Sequence, residues 1–154
     1  MDSRNTLITT LFSREGVFCA SPDDTRALGV ALAGELALGA VLSLEGPLGA
    51  GKTQLTTGLV AGLGCDSEAS SPSFALMHEY TGGRLPVFHF DFYRLEKETE
   101  LITAGFDDCL PEGVTIAEWG DKFPGVFPRG TLHLRFHLLP QGGRQISGSG
   151  GGPL

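Results

Sequence analysis

Lysine is scarce in this chain. Lys52, Lys97 and Lys122 are the only lysines among 154 residues, and the formal charge at pH 7 is −7. Surfaces that grip nucleic acid unaided carry clustered Lys and Arg, whose binding releases counterions from the phosphates. Such a surface is not expected here. Cysteine is scarce too: Cys19, Cys65 and Cys109 are odd in number, far apart and never in a C-x-x-C pair. That suggests neither a disulfide framework nor a zinc site, and the three read as small buried or half-buried residues, the alternative being a free catalytic thiol. The four histidines form no metal set, because His133 and His137 share a strand face about 13 Å apart by strand rise. No apolar run approaches the ~18 residues of a membrane span. The stretch from Leu7 to Phe12 is too short for a signal-peptide core and has no basic flank with a cleavage site. The expected compartment is cytoplasmic, with no membrane contact.

What the chain does have is one dense stretch, Val41 to Leu63. Within it, residues 46–53, Gly-Pro-Leu-Gly-Ala-Gly-Lys-Thr, fit the pattern G-x-x-x-x-G-K-[ST]. The apolar run Val41 to Leu44 enters the loop as a strand. Leu55, Leu59, Val60 and Leu63 recur at three- and four-residue steps behind it, so a helix begins near Gly51. Strand, glycine loop and helix are the geometry that phosphate binding needs. Backbone N–H groups at Leu48, Gly49, Ala50 and Gly51 can curl around a phosphate without Cβ clashes, and the helix N-terminus adds its positive dipole end. Lys52 then reaches the β- and γ-phosphates, and the Thr53 hydroxyl can hold Mg²⁺. The plainer alternative is a glycine-rich turn that happens to carry Lys-Thr. The flanks favour a nucleoside triphosphate site.

Around this stretch the chain reads as one α/β domain, large enough to bury about two-thirds of its unfolded surface. Residues 1–20 read as an N-terminal extension, aperiodic to residue 14, with a short first strand at 16–20. Residues 21–147 form the P-loop domain, and 148–154 are a Gly/Ser tail of linker composition. Ser21, Pro22 and Asp24 mark a helix start, and Gly39 its end. Phe74–Tyr80 and Leu85–Phe90 read as strands joined by the turn Thr81-Gly-Gly-Arg84, and such a hairpin makes the sheet mixed. Glu96–Phe106 reads as one helix. Val114–Glu118 and the alternating Thr131–Leu138 read as further strands, and Gln141–Arg144 turns the chain into a brief last one. The predicted architecture is a three-layer P-loop NTPase-type domain with a mixed central sheet.

Two strands end in carboxylates. Val87-Phe-His-Phe-Asp91 delivers Asp91, and Val114-Thr-Ile-Ala-Glu118 delivers Glu118. A P-loop site needs such an acid for Mg²⁺ and the attacking water. The alternatives are that Asp91 caps a turn and that Glu118 is a solvated strand end. Trp119, the only tryptophan, is either core or stacked near the nucleotide. Ser73, in Ser71-Pro72-Ser73-Phe74, is either a plain turn residue or a hydroxyl that senses the γ-phosphate through Mg²⁺.

Taken together, the P-loop, Ser71-Pro-Ser-Phe74 with Glu79-Tyr80, the block His89-Phe-Asp-Phe-Tyr-Arg-Leu95, and Glu118-Trp119 resemble the TsaE (YjeE) family. Those proteins are ATPases needed to make threonylcarbamoyladenosine in tRNA, and the likeness runs from about Ser21 to Arg144. The resemblance implies that Lys52, Asp91 and Glu118 are catalytic, and that Thr53, Asp91 and Glu118 attend the metal. It implies a nucleotide contact for Ser73 and Trp119, with Thr25 and Arg144 bordering it. The cofactors it implies are ATP and Mg²⁺, and the partners are TsaD and TsaB, through which tRNA is met only indirectly. Three positions depart from the family's usual residues: Pro47 for Asp, Ser73 for Thr and Gly120 for Pro. Gly120 is expected to loosen the chain after Glu118. The expected activity is slow, partner-stimulated ATP hydrolysis in tRNA modification. A small-molecule kinase and a nucleotide-dependent binding module without turnover are the alternatives.

Overall fold

A computed structural model describes residues 6–68 and 77–149. Among these residues eight strands form one mixed sheet in the order β1-β8-β7-β2-β6-β5-β4-β3. They are β1 Val17–Cys19, β2 Val41–Glu45, β3 Ser67–Glu68, β4 Met77–Thr81, β5 Val87–Asp91, β6 Val114–Glu118, β7 Leu132–Leu138 and β8 Arg144–Ser149. The central strands β7, β2, β6 and β5 run parallel, and antiparallel pairs flank them on both sides. All five residues of β2 are buried, as a central strand covered on both faces requires.

Among the described residues five α-helices cover the two faces: α1 Thr6–Leu11, α2 Pro22–Ala33, α3 Lys52–Gly62, α4 Glu100–Thr103 and α5 Phe106–Cys109. The period of two along the strands sorts the core into halves. Leu42, Leu44, Ile116 and Leu134 pack with Leu28 and Leu32 of α2 and Leu55 and Leu59 of α3. Phe88, Phe90 and Ala117 pack on the opposite face with Phe92, Leu101 and Phe106. Ser21 caps α2 as the sequence predicts: its hydroxyl accepts from the Asp24 N–H at 3.2 Å, and Asp24 accepts from the Ala20 N–H at 3.1 Å. Helices α2 and α3 meet backbone to backbone. A Cβ on Gly58 would lie 2.1 Å from the Arg26 carbonyl oxygen, and one on Gly29 would lie 2.5 Å from that of Leu55. This contact holds α3, and with it the phosphate loop, against the rest of the domain.

Four expectations are corrected. The N-terminal extension contains α1, whose Leu11 is fully buried. The Glu35 carboxylate anchors α1 by accepting from the Leu7 and Ile8 N–H groups, each at 2.9 Å. A six-residue helix shows too little period to be read, and its anchor lies in the turn that follows α2. The helix opened by Ser21 ends at Ala33, ahead of Gly39. The single helix over Glu96–Phe106 is two short ones, because Gly105 adopts the left-handed conformation (φ 78°) between them. Finally, β8 runs through Gly148 to Ser149, into the stretch assigned to the tail, and Gly148 pairs with Leu134.

Candidate functional site

The site lies at the carboxyl end of the parallel strands. Leu44, Glu118 and Asp91 stand side by side in register at the ends of β2, β6 and β5. Residues 46–51 leave β2 as the loop, and Gly51 opens α3 in the left-handed conformation (φ 105°), so that Lys52 and Thr53 lead the helix. The cleft there measures about 280 Å³ and is lined by Leu48, Gly49, Gly51, Lys52 and Thr53 together with Glu118, Trp119 and Arg144.

Lys52 is 5 % exposed. Its Nζ donates to the Gly46 carbonyl at 2.6 Å and the Pro47 carbonyl at 2.9 Å, and lies 4.1 Å from the centre of the Trp119 ring. Burial holds the ammonium below its ordinary pKa of 10.5, and the charges of Glu118, Asp121 and Asp91 partly offset that. Lys52 thus stands at the start of α3 beside the glycine loop, where a helix N-terminus and an ammonium favour an anion. Pro47, one of the departures, keeps the carbonyl that Lys52 uses.

Thr53 donates from its hydroxyl to Glu118 Oε1 at 3.0 Å. Glu118 is 7 % exposed, and its other oxygen, Oε2, lies 2.5 Å from Nε2 of His89. Among the described residues no group of three His, Cys, Asp or Glu is placed to enclose a metal. The donors present are a hydroxyl and a carboxylate, both hard oxygens, beside the glycine loop. That set fits Mg²⁺, which keeps waters and takes ligand phosphates in preference to a full protein cage.

The other predicted residues fall into place unevenly. Trp119 lines the cleft and stacks near Tyr93, with ring centres 5.0 Å apart. Among the described residues it is the one non-glycine at positive φ (61°), a conformation costing about 1–2 kcal/mol. The bond from its N–H to the Leu44 carbonyl, 2.8 Å, helps hold it there. Arg144 opens β8 and donates to the Ala50 carbonyl at 3.3 Å, at the cleft's edge. Ala50 itself is buried and contributes backbone only. Asp91 is off the cleft wall: it accepts from the Tyr93 N–H at 3.1 Å and caps a 3-10 turn, while its charge still acts on Lys52. Thr25 is fully buried, with its hydroxyl on the Ser21 carbonyl at 3.3 Å, and Pro22 forms the wall on that side. Ser73 lies outside the described residues. Gly120 does not loosen the chain: it is buried against Ser43, where a Cβ would come within 1.8 Å of the hydroxyl oxygen.

Sequence reading missed two residues of the site and one buried carboxylate behind it. Gln54 lines the cleft, held by Arg26 at 2.7 Å. His89 shares the face of Asp91 two residues on, a signal that the alternation of β5 offered. Glu45, just ahead of the loop, is buried on the far face of β2. It accepts from Arg135 at 2.9 Å and from Ser43 at 3.1 Å, and lies 3.0 Å from His133.

A parallel strand leading into a glycine loop whose lysine and threonine open a helix, with an acid from the adjacent strand, defines a P-loop protein. The comparisons with known proteins narrow this class. The family model described as threonylcarbamoyl adenosine biosynthesis protein TsaE matches residues 19–146. The chain therefore belongs to the TsaE family, whose role is in the biosynthesis of threonylcarbamoyladenosine, a tRNA modification. It is 36% identical to the tRNA threonylcarbamoyladenosine biosynthesis protein TsaE of Treponema pallidum, over 82% of this chain and 94% of the relative. It is also 36% identical to that of Bacillus subtilis, over 82% of this chain and 80% of the relative. The crystal structure of Bacillus subtilis YdiB is similar in fold, with a TM-score of 0.67 and 30% identity, covering 86% of this chain and 82% of the other. No helix among the described residues is long and apolar enough to cross a membrane.

Proposed function

We propose that the chain binds ATP with Mg²⁺ and hydrolyses it slowly, serving threonylcarbamoyladenosine formation together with TsaD and TsaB. The observation that carries this reading is the contact between Thr53 and Glu118, which sets a metal-type oxygen pair beside the Lys52 ammonium. Backbone N–H groups from Leu48 to Gly51 hold the phosphates, and Lys52 adds its charge. Thr53 and Glu118 hold the metal, with Asp91 contributing through its charge from the next strand. When bound, Mg²⁺ supplies charge stabilisation at the transferring phosphoryl group. Trp119 and Arg144 border the nucleotide, and Ser73 is assigned the hydroxyl that senses its terminal phosphate. Glu118 also orients the attacking water, as a carboxylate at this strand end can.

The net charge of −7 supports an indirect relation to tRNA, in which the partners hold the RNA. Turnover is proposed to depend on those partners, since the cleft is open and Glu118 is engaged by neighbouring side chains. The test is steady-state phosphate release by the full chain, alone and with the TsaD–TsaB pair. The expected result is slow release alone and faster release in the complex. Equal rates would overturn partner control; transfer of phosphate to a small acceptor would favour a kinase.

A further inference from the structure

His89 sits on β5 opposite Ile116, so Glu118 lies two residues further along β6 on the same face. That diagonal brings Nε2 of the imidazole to 2.5 Å from Oε2 of Glu118, while Thr53 occupies Oε1. Both carboxylate oxygens are thereby held from different elements, one by the sheet and one by the helix that follows the phosphate loop. The two side chains of the pair are 14% and 9% exposed. Nδ1 of His89 is buried and has no partner among the described residues. An unpaired lone pair in that position is tolerated more readily than an orphan N–H, so the ring's proton belongs on Nε2, where it is donated to Glu118. The rings of His78 and Tyr80, with centres 6.3 and 6.5 Å away, confine the imidazole from the side of β4.

We infer that His89 is a positioning residue, which fixes the rotamer and the accepting lone pairs of Glu118 and through it the metal and the attacking water. The inference rests on the proposed role of Glu118. Its physical basis is the difference between the two holds on that carboxylate. The Thr53 hydroxyl donates its one proton to Glu118 and keeps lone pairs that can serve a metal, so it is shared between the two. The Nε2–H of His89 is given to Glu118 outright. Without it, a carboxylate at a strand end regains rotamer freedom just when its orientation matters. No feature of His89 requires it to touch the nucleotide, and it lies off the cleft wall.

The experiment compares His89→Ala, His89→Gln, Glu118→Gln and the double variant His89→Ala/Glu118→Gln in the full chain. ATP affinity is measured by calorimetry with and without Mg²⁺, and phosphate release with the TsaD–TsaB pair present. His89→Ala is expected to keep its metal-free ATP affinity, while kcat and the Mg²⁺-dependent gain in affinity fall about 10- to 100-fold, the usual cost of losing a partner behind a ligand. His89→Gln, whose amide N–H can reach the same oxygen, is expected to recover most of both. The double variant should be no slower than Glu118→Gln. A slow Glu118→Gln beside a His89→Ala of wild-type kcat and metal response would overturn the positioning role and leave the proposed function standing. Glu118→Gln with wild-type turnover and metal response would overturn the role of Glu118, and this inference with it. Equal losses in His89→Ala and His89→Gln, accompanied by a lowered melting temperature, would reduce His89 to packing and also overturn it.

Discussion

Glu45 and Glu118 end adjacent parallel strands, and both are buried. One side of the sheet has neutralised its carboxylate and the other has not. Glu45 has a guanidinium, an imidazole and a hydroxyl within hydrogen-bond distance, so its charge is matched. Glu118 is held by a hydroxyl and an imidazole, and Lys52, the cation that acts on it, is bonded to loop carbonyls. Burial alone therefore does not mark a working acid. What distinguishes Glu118 is that its partners orient the carboxylate without discharging it. A buried charge held this way carries a desolvation cost that a bound cation would relieve.

The contrast breaks most sharply at turnover. Glu118→Gln is expected to lower partner-stimulated phosphate release by about 10²–10⁴-fold, the range for loss of a positioned acid–base group, with the fold intact. Glu45→Gln should leave kcat nearly unchanged, and phosphate-release assays on the two variants decide the point. Lys52→Met comes next. Loss of a charged hydrogen-bonding partner of the phosphates is expected to weaken ATP binding by about 2–3 kcal/mol, roughly 100-fold by calorimetry.

The same substitution carries a pH test. Burial lowers the lysine's pKa, so folding disfavours its charged form. The stability cost is full below the depressed pKa and vanishes above 10.5. Lys52→Met should thus melt no lower than wild type at pH 7, and any advantage should fade as pH rises toward that value. A variant much less stable at neutral pH would contradict this sign.

Stability reverses the ranking of the two acids. Glu45→Gln leaves Arg135 without its anion, and is expected to cost about 1–3 kcal/mol in denaturant unfolding, limited because the arginine reaches solvent. Glu118→Gln should cost less, and equal losses would erase the comparison. The smallest effect belongs to Asp91→Asn. Its carboxylate acts at the site through charge and caps a turn, so a several-fold loss confined to Mg²⁺-dependent ATP affinity is expected. An equal loss without metal would make Asp91 structural.

Much of this was legible in the chain. The spacing of Gly46, Gly51, Lys52 and Thr53 between an apolar run and a 3.6-residue period left one local geometry open, and the structure has it. The carboxylate at the end of β6 was equally readable, as was the Ser21 cap, because caps and strand ends are written in neighbouring residues. Thr25 and Asp91 were harder. Both carry suitable atoms, but the fold turns one onto its own helix and the other onto a 3-10 turn. Gly120 reversed its meaning altogether, since a glycine reads as freedom until Ser43 is seen packed against it.

The sequence by itself determined the glycine loop, the class of the sheet and the strand-end acids Asp91 and Glu118, because each depends on residues a few positions apart. Tertiary structure alone decided which acid is neutralised. Arg135 and Glu45 are ninety residues apart in the chain, as are neighbours in sheet register, and no local pattern brings them together. The same holds for His89 on Glu118, a contact between two strands whose diagonal exists only once β5 and β6 pair in parallel. Local hydrogen bonding and side-chain period act over a turn or two, whereas the charge balance of a buried carboxylate is set by whatever the sheet places beside it.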